Sequence, residues 1–156
     1  MRDDKIRRLL RVGEAKSGME DDPRVAALSR LVRAMGDPPP DREAPVREVI
    51  ARLGDNWSPL ILKILSTGAY RHTTLKRVIG EVSAEAGISQ RMLTLRLRAL
   101  ERDGFVAREF HDTVPPRVIY SLTPLGAGLA DELDRLLGWV ERNSKEIERA
   151  RLAFRD

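Results

Sequence analysis

Hydrophobic positions recur along this chain at two different periods, and the change between them organises the reading. From Ile6 to Leu100, apolar residues return every three or four positions, the spacing of one face of an α-helix. Between Phe105 and Leu122 they alternate every second position, as in β-strands. From Thr123 the helical period returns and continues toward Phe154.

Punctuation divides the helical part. Ile6, Leu9 and Leu10 share a face of a first helix, followed by the turn-rich KSGMEDDP. A second helix is predicted with Val25, Leu28, Leu31, Val32 and Met35 inward, Asp22 as its cap and Pro23 in its first turn. Gly36 ends it, and DPPP makes a stiff linker. The next helix, 45–53, turns Val46, Val49, Ile50 and Leu53 inward and stops at Gly54. Ser58 is the expected cap of a further helix, with Pro59 behind it and Leu60, Ile61, Ile64 and Leu65 as the buried stripe, closed by Gly68. A short extended piece, Ala69–His72, leads to Thr73. That residue is the expected cap of a helix reaching about Glu85, with Leu75, Val78, Ile79 and Val82 inward. Gly87 breaks the pattern. Ser89 caps a helix to about Asp103, and Gly104 suits its stop. Two strands, 105–110 and 117–122, then flank a turn at 112–116 as a two-stranded hairpin. Thr123 and Pro124 open a long last helix with Leu125, Leu129, Leu133, Leu136, Leu137, Val140 and Ile147 along it.

Two helices joined by a short glycine-containing turn and followed by a hairpin is the order of a winged helix-turn-helix. The expected fold class is therefore mainly α with a small β-hairpin wing, with helical N- and C-terminal extensions forming a dimer. The expected domains are a helical extension and proline-rich linker (1–43), the winged domain (44–122) and a dimerisation helix (123–156).

The helix after Ser89 has a distinctive outer face. At about 100° per residue, Leu93, Leu97, Leu100 and Ser89 cluster on the core side. Gln90, Arg91, Thr94, Leu95, Arg98 and Arg102 occupy the other. Arginine can donate two bonds to guanine and glutamine two to adenine, while threonine or leucine can touch a thymine methyl. Glu101 and Asp103 suit DNA poorly, so the first half, Gln90–Arg98, is the expected reading segment. The turn HDTVPPR holds Pro116 and Arg117 on a stiff wing, and contacts with phosphate or the minor groove are expected over 111–117. Thr73, Thr74 and Lys76, with Arg71 just ahead, are placed for a further phosphate contact at a helix start.

Charge agrees with this placement. Residues 58–117 carry ten Lys and Arg against six Asp and Glu, and the remainder of the chain is neutral. There is no cysteine, so disulfides, thiolate nucleophiles and Cys-based zinc sites are excluded. His72 and His111 lack ligand partners at suitable spacing, so no metal or cofactor is expected. Trp57 and Trp139 read as packing residues. No nucleophile–base pair or phosphate-binding glycine loop is present, which argues against an enzyme. The charged first residues and the lack of a long apolar run imply neither secretion nor a membrane span, hence a cytoplasmic protein.

The segment GISQRMLTLRLRALERDGFVAREF, with VPPRVIYSLTPLG after it, resembles the HxlR family of bacterial winged-helix transcription regulators. NWSPLILKIL and the tryptophan of LLGWVE are similar to the family's second and last helices. The resemblance covers roughly Ala44–Glu141. It implies a homodimer that binds double-stranded DNA, with Gln90, Arg91, Thr94 and Arg98 on the recognition helix, Pro115, Pro116 and Arg117 in the wing, and the terminal helices in the dimer. The expected interface residues are Leu129, Leu133, Leu136, Leu137, Val140 and Ile147. Ala44 stands where many members carry a cysteine, Asn56 replaces a frequent basic residue, and LKRVIGEVSAEAG is longer than the usual link. Two alternatives stay open: a ligand-sensing regulator with a small-molecule effector pocket at the dimer interface, and a winged-helix module that binds an acidic protein.

Overall fold

A computed structural model describes residue 6 and residues 23–35, 44–83 and 87–154. The expectations for Leu9, Leu10, the turn before Asp22, the Asp22 cap, Gly36, the proline linker and Glu85 lie outside the described residues. The chain forms two compact units, Met1–Gly54 and Asp55–Asp156.

The first unit contains helices α1 (Pro23–Ala34) and α2 (Pro45–Leu53). Pro23 opens α1 as its fixed φ suits. Val25 is buried, but Leu31 of the same predicted stripe is exposed. Arg47 Nε donates to the carbonyl of Met35 at 2.6 Å. Helix α2 has the expected bounds, yet none of its residues is buried, and Val46 and Ile50 lie open. The apolar period produced the helix; burial needs a covering surface, which that face lacks among the described residues.

The second unit runs α3 (Ser58–Leu65), β1 (Tyr70–Arg71), α4 (His72–Val82), α5 (Gln90–Arg102), β2 (Val106–His111), β3 (Arg117–Leu122) and α6 (Pro124–Ala153). Its core is mostly aliphatic: Ile61, Leu62 and Leu65 of α3, Leu75 and Ile79 of α4, Leu93, Leu97 and Leu100 of α5, and Ala130 and Leu133 of α6 are all buried, with Phe105 and Tyr120 as the aromatic members. Within α3, Leu62 takes the fully buried place expected of Leu60, which is only half-buried. The wing is part of a three-stranded antiparallel sheet ordered β1-β3-β2, not a two-stranded hairpin. Tyr70 and Arg71 pair with Tyr120 and Ile119 and so tie the wing to the start of α4. A two-stranded ribbon is marginal alone, and this third strand anchors it.

Two predicted caps are displaced. Ser58 does not cap α3; Trp57 holds that position and Ser58 is the first helical residue. The capping carboxylate is Asp55, which accepts from the backbone N–H of Trp57 and Ser58, both at 2.7 Å, and from Ser58 Oγ at 2.6 Å. Thr73 does not cap α4, because the helix begins at His72 after an extended Arg71 and has no side-chain cap bond. Helix α4 ends at Val82, whose side chain is exposed instead of inward.

Where α5, the wing and α6 meet, backbone groups bond at one turn. Gly104, at φ 79°, ends α5 in the left-handed conformation that glycine adopts without strain. Phe105 N–H donates to the carbonyl of Leu100 at 2.9 Å and Gly104 N–H to that of Glu101 at 3.0 Å, a Schellman closure. The carbonyl of Phe105 accepts from Thr123 N–H at 3.0 Å. Thr123 Oγ1 accepts from Gly126 N–H at 3.0 Å, capping α6, and donates to the carbonyl of Gly104 at 2.5 Å. The α6 backbone passes so close that a Cβ on Gly126 would lie 1.9 Å from the Phe105 carbonyl oxygen, whereas one on Gly128 would meet nothing within 4 Å.

Gly126→Ala should therefore lower unfolding stability by roughly 2–3 kcal/mol through overpacking. Gly128→Ala should raise it by about 0.5–1 kcal/mol through helix propensity. Urea denaturation of the two variants beside the wild type checks both signs.

Candidate nucleic-acid interface

Helix α5 is anchored locally at its start and through its core stripe along its length. Ser89 caps it as expected, accepting from Met92 N–H at 3.1 Å; its own side chain is exposed and not part of the core. Leu93, Leu97 and Leu100 are buried. That leaves Gln90, Arg91, Leu95, Arg98 and Arg102 exposed on the opposite side, as their angular positions require. Leu95 is 53% exposed, a large apolar surface inside a basic face.

The arginines of this helix divide by their partners. Arg96 lies off the outer face and pairs with Asp55 at 3.3 Å. Arg102 pairs with Asp103 at 3.2 Å, so the far end of the helix is internally neutralised. Among the described residues, Arg91 and Arg98 have no ion-pair partner. The two cations left uncommitted are thus the two in the first half of the helix.

Thr94 is half-buried and has a second role. Its Oγ1 donates to the carbonyl of Gln90 at 2.9 Å and lies 3.1 Å from His72 Nε2. With the hydroxyl proton directed to Gln90, a protonated Nε2 is the form of His72 that donates to Thr94. The His72 ring also lies 6.3 Å from the Tyr120 ring at a tilt of 58°. His72 therefore touches the outer helix through Thr94 and the wing sheet through Tyr120, while standing first in α4. Burial, and secondarily the Lys76 ammonium, lower its pKa below the ordinary histidine value.

Around this helix, Arg71, Thr73, Thr74 and Lys76 are all exposed at the start of α4. Thr73 and Thr74 stand in its first turn, where backbone N–H groups have no intrahelical acceptor. The wing turn is fully outside: residues 111–117 are exposed, including Pro116 and Arg117. Thr113 Oγ1 donates to the carbonyl of Pro115 at 2.8 Å, stiffening the tip. Arg117 stands opposite His111 in the ladder, and His111 Nε2 lies 3.6 Å from Glu109. Arg108, also exposed on β2, adds a wing cation that strand alternation alone had not singled out.

Along α6, buried positions stop at Leu133; only Gly126, Ala130 and Leu133 are covered. Leu133 is thus part of this chain's own core, not of a free interface. Leu129 and Ile147 are half-buried, while Leu136, Leu137 and Val140 are exposed. Trp139, expected as a packing residue, is also exposed. No described helix is long and apolar enough to cross a membrane.

Comparison with known proteins bears directly on this arrangement. The HxlR-like helix-turn-helix family matches residues 52–148. The chain belongs to that family. The uncharacterized HTH-type transcriptional regulator YtfH of Escherichia coli (strain K12) is 41% identical over 114 residues, covering 73% of this chain and 82% of YtfH. The solved structure of ytfH from Salmonella typhimurium, a transcriptional regulator, superimposes with a TM-score of 0.60 at 39% identity, over 71% of this chain and 94% of that one. The reduced form of the transcriptional regulator YodB from B. subtilis gives 0.54 at 30% identity, over 62% of this chain and 89% of YodB. The winged-helix fold and the HxlR membership expected from the ISQRML and VPPRV segments both hold.

Asp55 and His72 are the positioning residues that sequence reasoning passed over. Asp55 precedes Ser58 by three, a spacing that can be read as a cap; His72 contacts a residue 22 positions away and leaves no local signal. Because the folded state lowers the His72 pKa, the unfolded chain takes up its proton first as pH falls. This contribution to stability is complete above the unfolded value of about 6.5 and is lost as pH drops below it, levelling off under the folded value. Urea unfolding from pH 7.5 to 5 should show this loss in the wild type, and His72→Gln should lack that part of the slope.

Proposed function

We propose that this protein is a sequence-specific transcription regulator that binds double-stranded DNA as a homodimer. Each copy lays the first half of α5 in a major groove and its wing along the adjoining backbone. The observation that carries this reading is the pair of guanidinium groups, Arg91 and Arg98, that have no ion-pair partner among the described residues, on a helix whose other arginines are paired. Bidentate donation to guanine is the recognition chemistry open to such groups, with Gln90 suited to adenine and the exposed Leu95 to a thymine methyl. Thr94 supports the helix through His72 and presents its remaining surface on the same side.

Arg117, Pro116 and the first turn of α4, with Arg71, Thr73, Thr74 and Lys76, act on phosphates. The dimer forms through the part of α6 beyond Leu133, where Leu136, Leu137 and Val140 lie uncovered. A thiol-based input is not open to this chain, which has no cysteine.

Replacing Arg91 or Arg98 with alanine should weaken binding at a cognate site by about 1–3 kcal/mol and relax preference at one base position. Arg117→Ala should weaken all sequences alike and reduce the slope of log K against log salt by about one unit. Mobility-shift titrations at several salt concentrations measure both; an Arg98→Ala protein that binds every duplex like the wild type would remove the reading face.

A further inference from the structure

The exposed part of α6 is patterned more closely than a general apolar face. Starting at Leu129, the residues Leu129, Leu133, Leu136, Val140, Asn143, Ile147, Ala150 and Phe154 follow one another at alternating steps of four and three. This is the seam of a two-stranded coiled coil. In heptad letters, Leu133, Val140 and Ile147 are a positions, and Leu129, Leu136, Asn143 and Ala150 are d positions; Phe154, at the next a spacing, lies just past the helix end in extended backbone. Leu133 is occupied by this chain's own core. From Leu136 onward no seam residue is buried, with Leu136 57% and Phe154 76% exposed. The free helical seam, from Leu136 to Ala150, spans 15 residues, about 22 Å of helix.

Resting on the dimer reading above, we infer that two copies of α6 pair in parallel and in register through this seam, with Asn143 facing its own counterpart. Three features fix the direction. Asn143 is the one polar residue between Leu136 and Phe154 on the seam. In an antiparallel pair, d residues face a residues, so every such register sets the Asn143 amide against Leu133, Val140 or Ile147. A buried amide without a partner is costly. In the parallel pair, d faces d at the same level, and the two amides satisfy each other. Asn143 Nδ2 already donates to the carbonyl of Trp139 at 2.7 Å, which leaves its carbonyl oxygen for the partner amide.

Flanking charges agree. In a parallel pair, the g residue of one helix meets the e residue five positions later on the other. Glu146 is at g and Arg151 at e of the following heptad, so opposite charges meet on both sides of the seam. The a positions Val140 and Ile147 are β-branched and the d position Leu136 is leucine, the combination that favours two parallel strands. The occupant selected is a second copy of this chain, and a partner helix lacking the Asn143, Glu146 and Arg151 pattern is disfavoured.

The natural absence of cysteine makes the test direct. Asn143→Cys in the full chain places a single thiol at the proposed contact, and Lys145→Cys places one on the outward f position. Sedimentation of the wild type should show a dimer. On mild oxidation, Asn143→Cys should then form a covalent dimer within reach of disulfide geometry, and Lys145→Cys should not. Glu146→Arg should raise the dimer dissociation constant about fivefold, and adding Arg151→Glu should restore it. A wild type that is dimeric while Asn143→Cys stays uncrosslinked, or crosslinks only when mixed with Val140→Cys, would overturn the parallel seam and leave the dimer standing. A monomeric wild type would overturn both.

Discussion

The turn Gly104–Phe105 is the constraint on which the functional parts of the second unit depend. Its backbone closes the end of α5, starts the wing strand β2 and receives the first turn of α6. Thr123 bonds into it from the far side, and Gly126 permits the close approach. In the proposed dimer, the helix proposed to read bases, the wing beside it and the helix proposed to carry the partner must hold fixed relative positions if two sites on a duplex are to be met at once. Here these positions are fixed by backbone hydrogen bonds, which tolerate little displacement, and only then by side-chain packing. The rest of the core holds the helices against this turn.

The same helix shows how charge is sorted by geometry. Arg96 and Arg102 are spent on Asp55 and Asp103, and these pairs hold the helix and quiet its far end. Among the described residues, Arg91 and Arg98 have no ion-pair partner. A pair of guanidinium groups kept free of carboxylates meets no competing partner when it meets a base edge or a phosphate. Thr94 stands between the two classes, since its hydroxyl is engaged by His72 and Gln90. That engagement links the outer face of α5, through the His72 ring, to Tyr120 in the sheet.

Features with local causes were legible in the sequence. Ser89, Gly104, Thr123 and the change of period at Phe105 each act through neighbours within a few residues, and each is found where the pattern places it. Competition among neighbours hid others: Ser58 and Thr73 are both good caps, but Asp55 and an extended Arg71 define those helix starts instead. Non-local contacts were not readable at all. Strand β1 has two residues, too few for a period, and exists because Tyr120 and Ile119 pair with it. Leu133 and Leu136 look alike in a stripe, and only the packed structure separates the one in the core from the one outside. The outer face of α5 was legible except at Thr94, half-buried against His72, and Ser89, exposed instead of on the core side, because burial of Leu93, Leu97 and Leu100 dictates what remains outside.

The most direct test of the account is selection of bound duplexes from a random pool by the full-length protein, followed by sequencing. Two-fold pairing of the reading helices predicts enrichment of a near-palindrome whose half-sites are about 10 base pairs apart, or a multiple of that. Enrichment of a single unpaired half-site would contradict the dimeric arrangement, and a pool that stays random would contradict the reading of α5 as a sequence-specific surface.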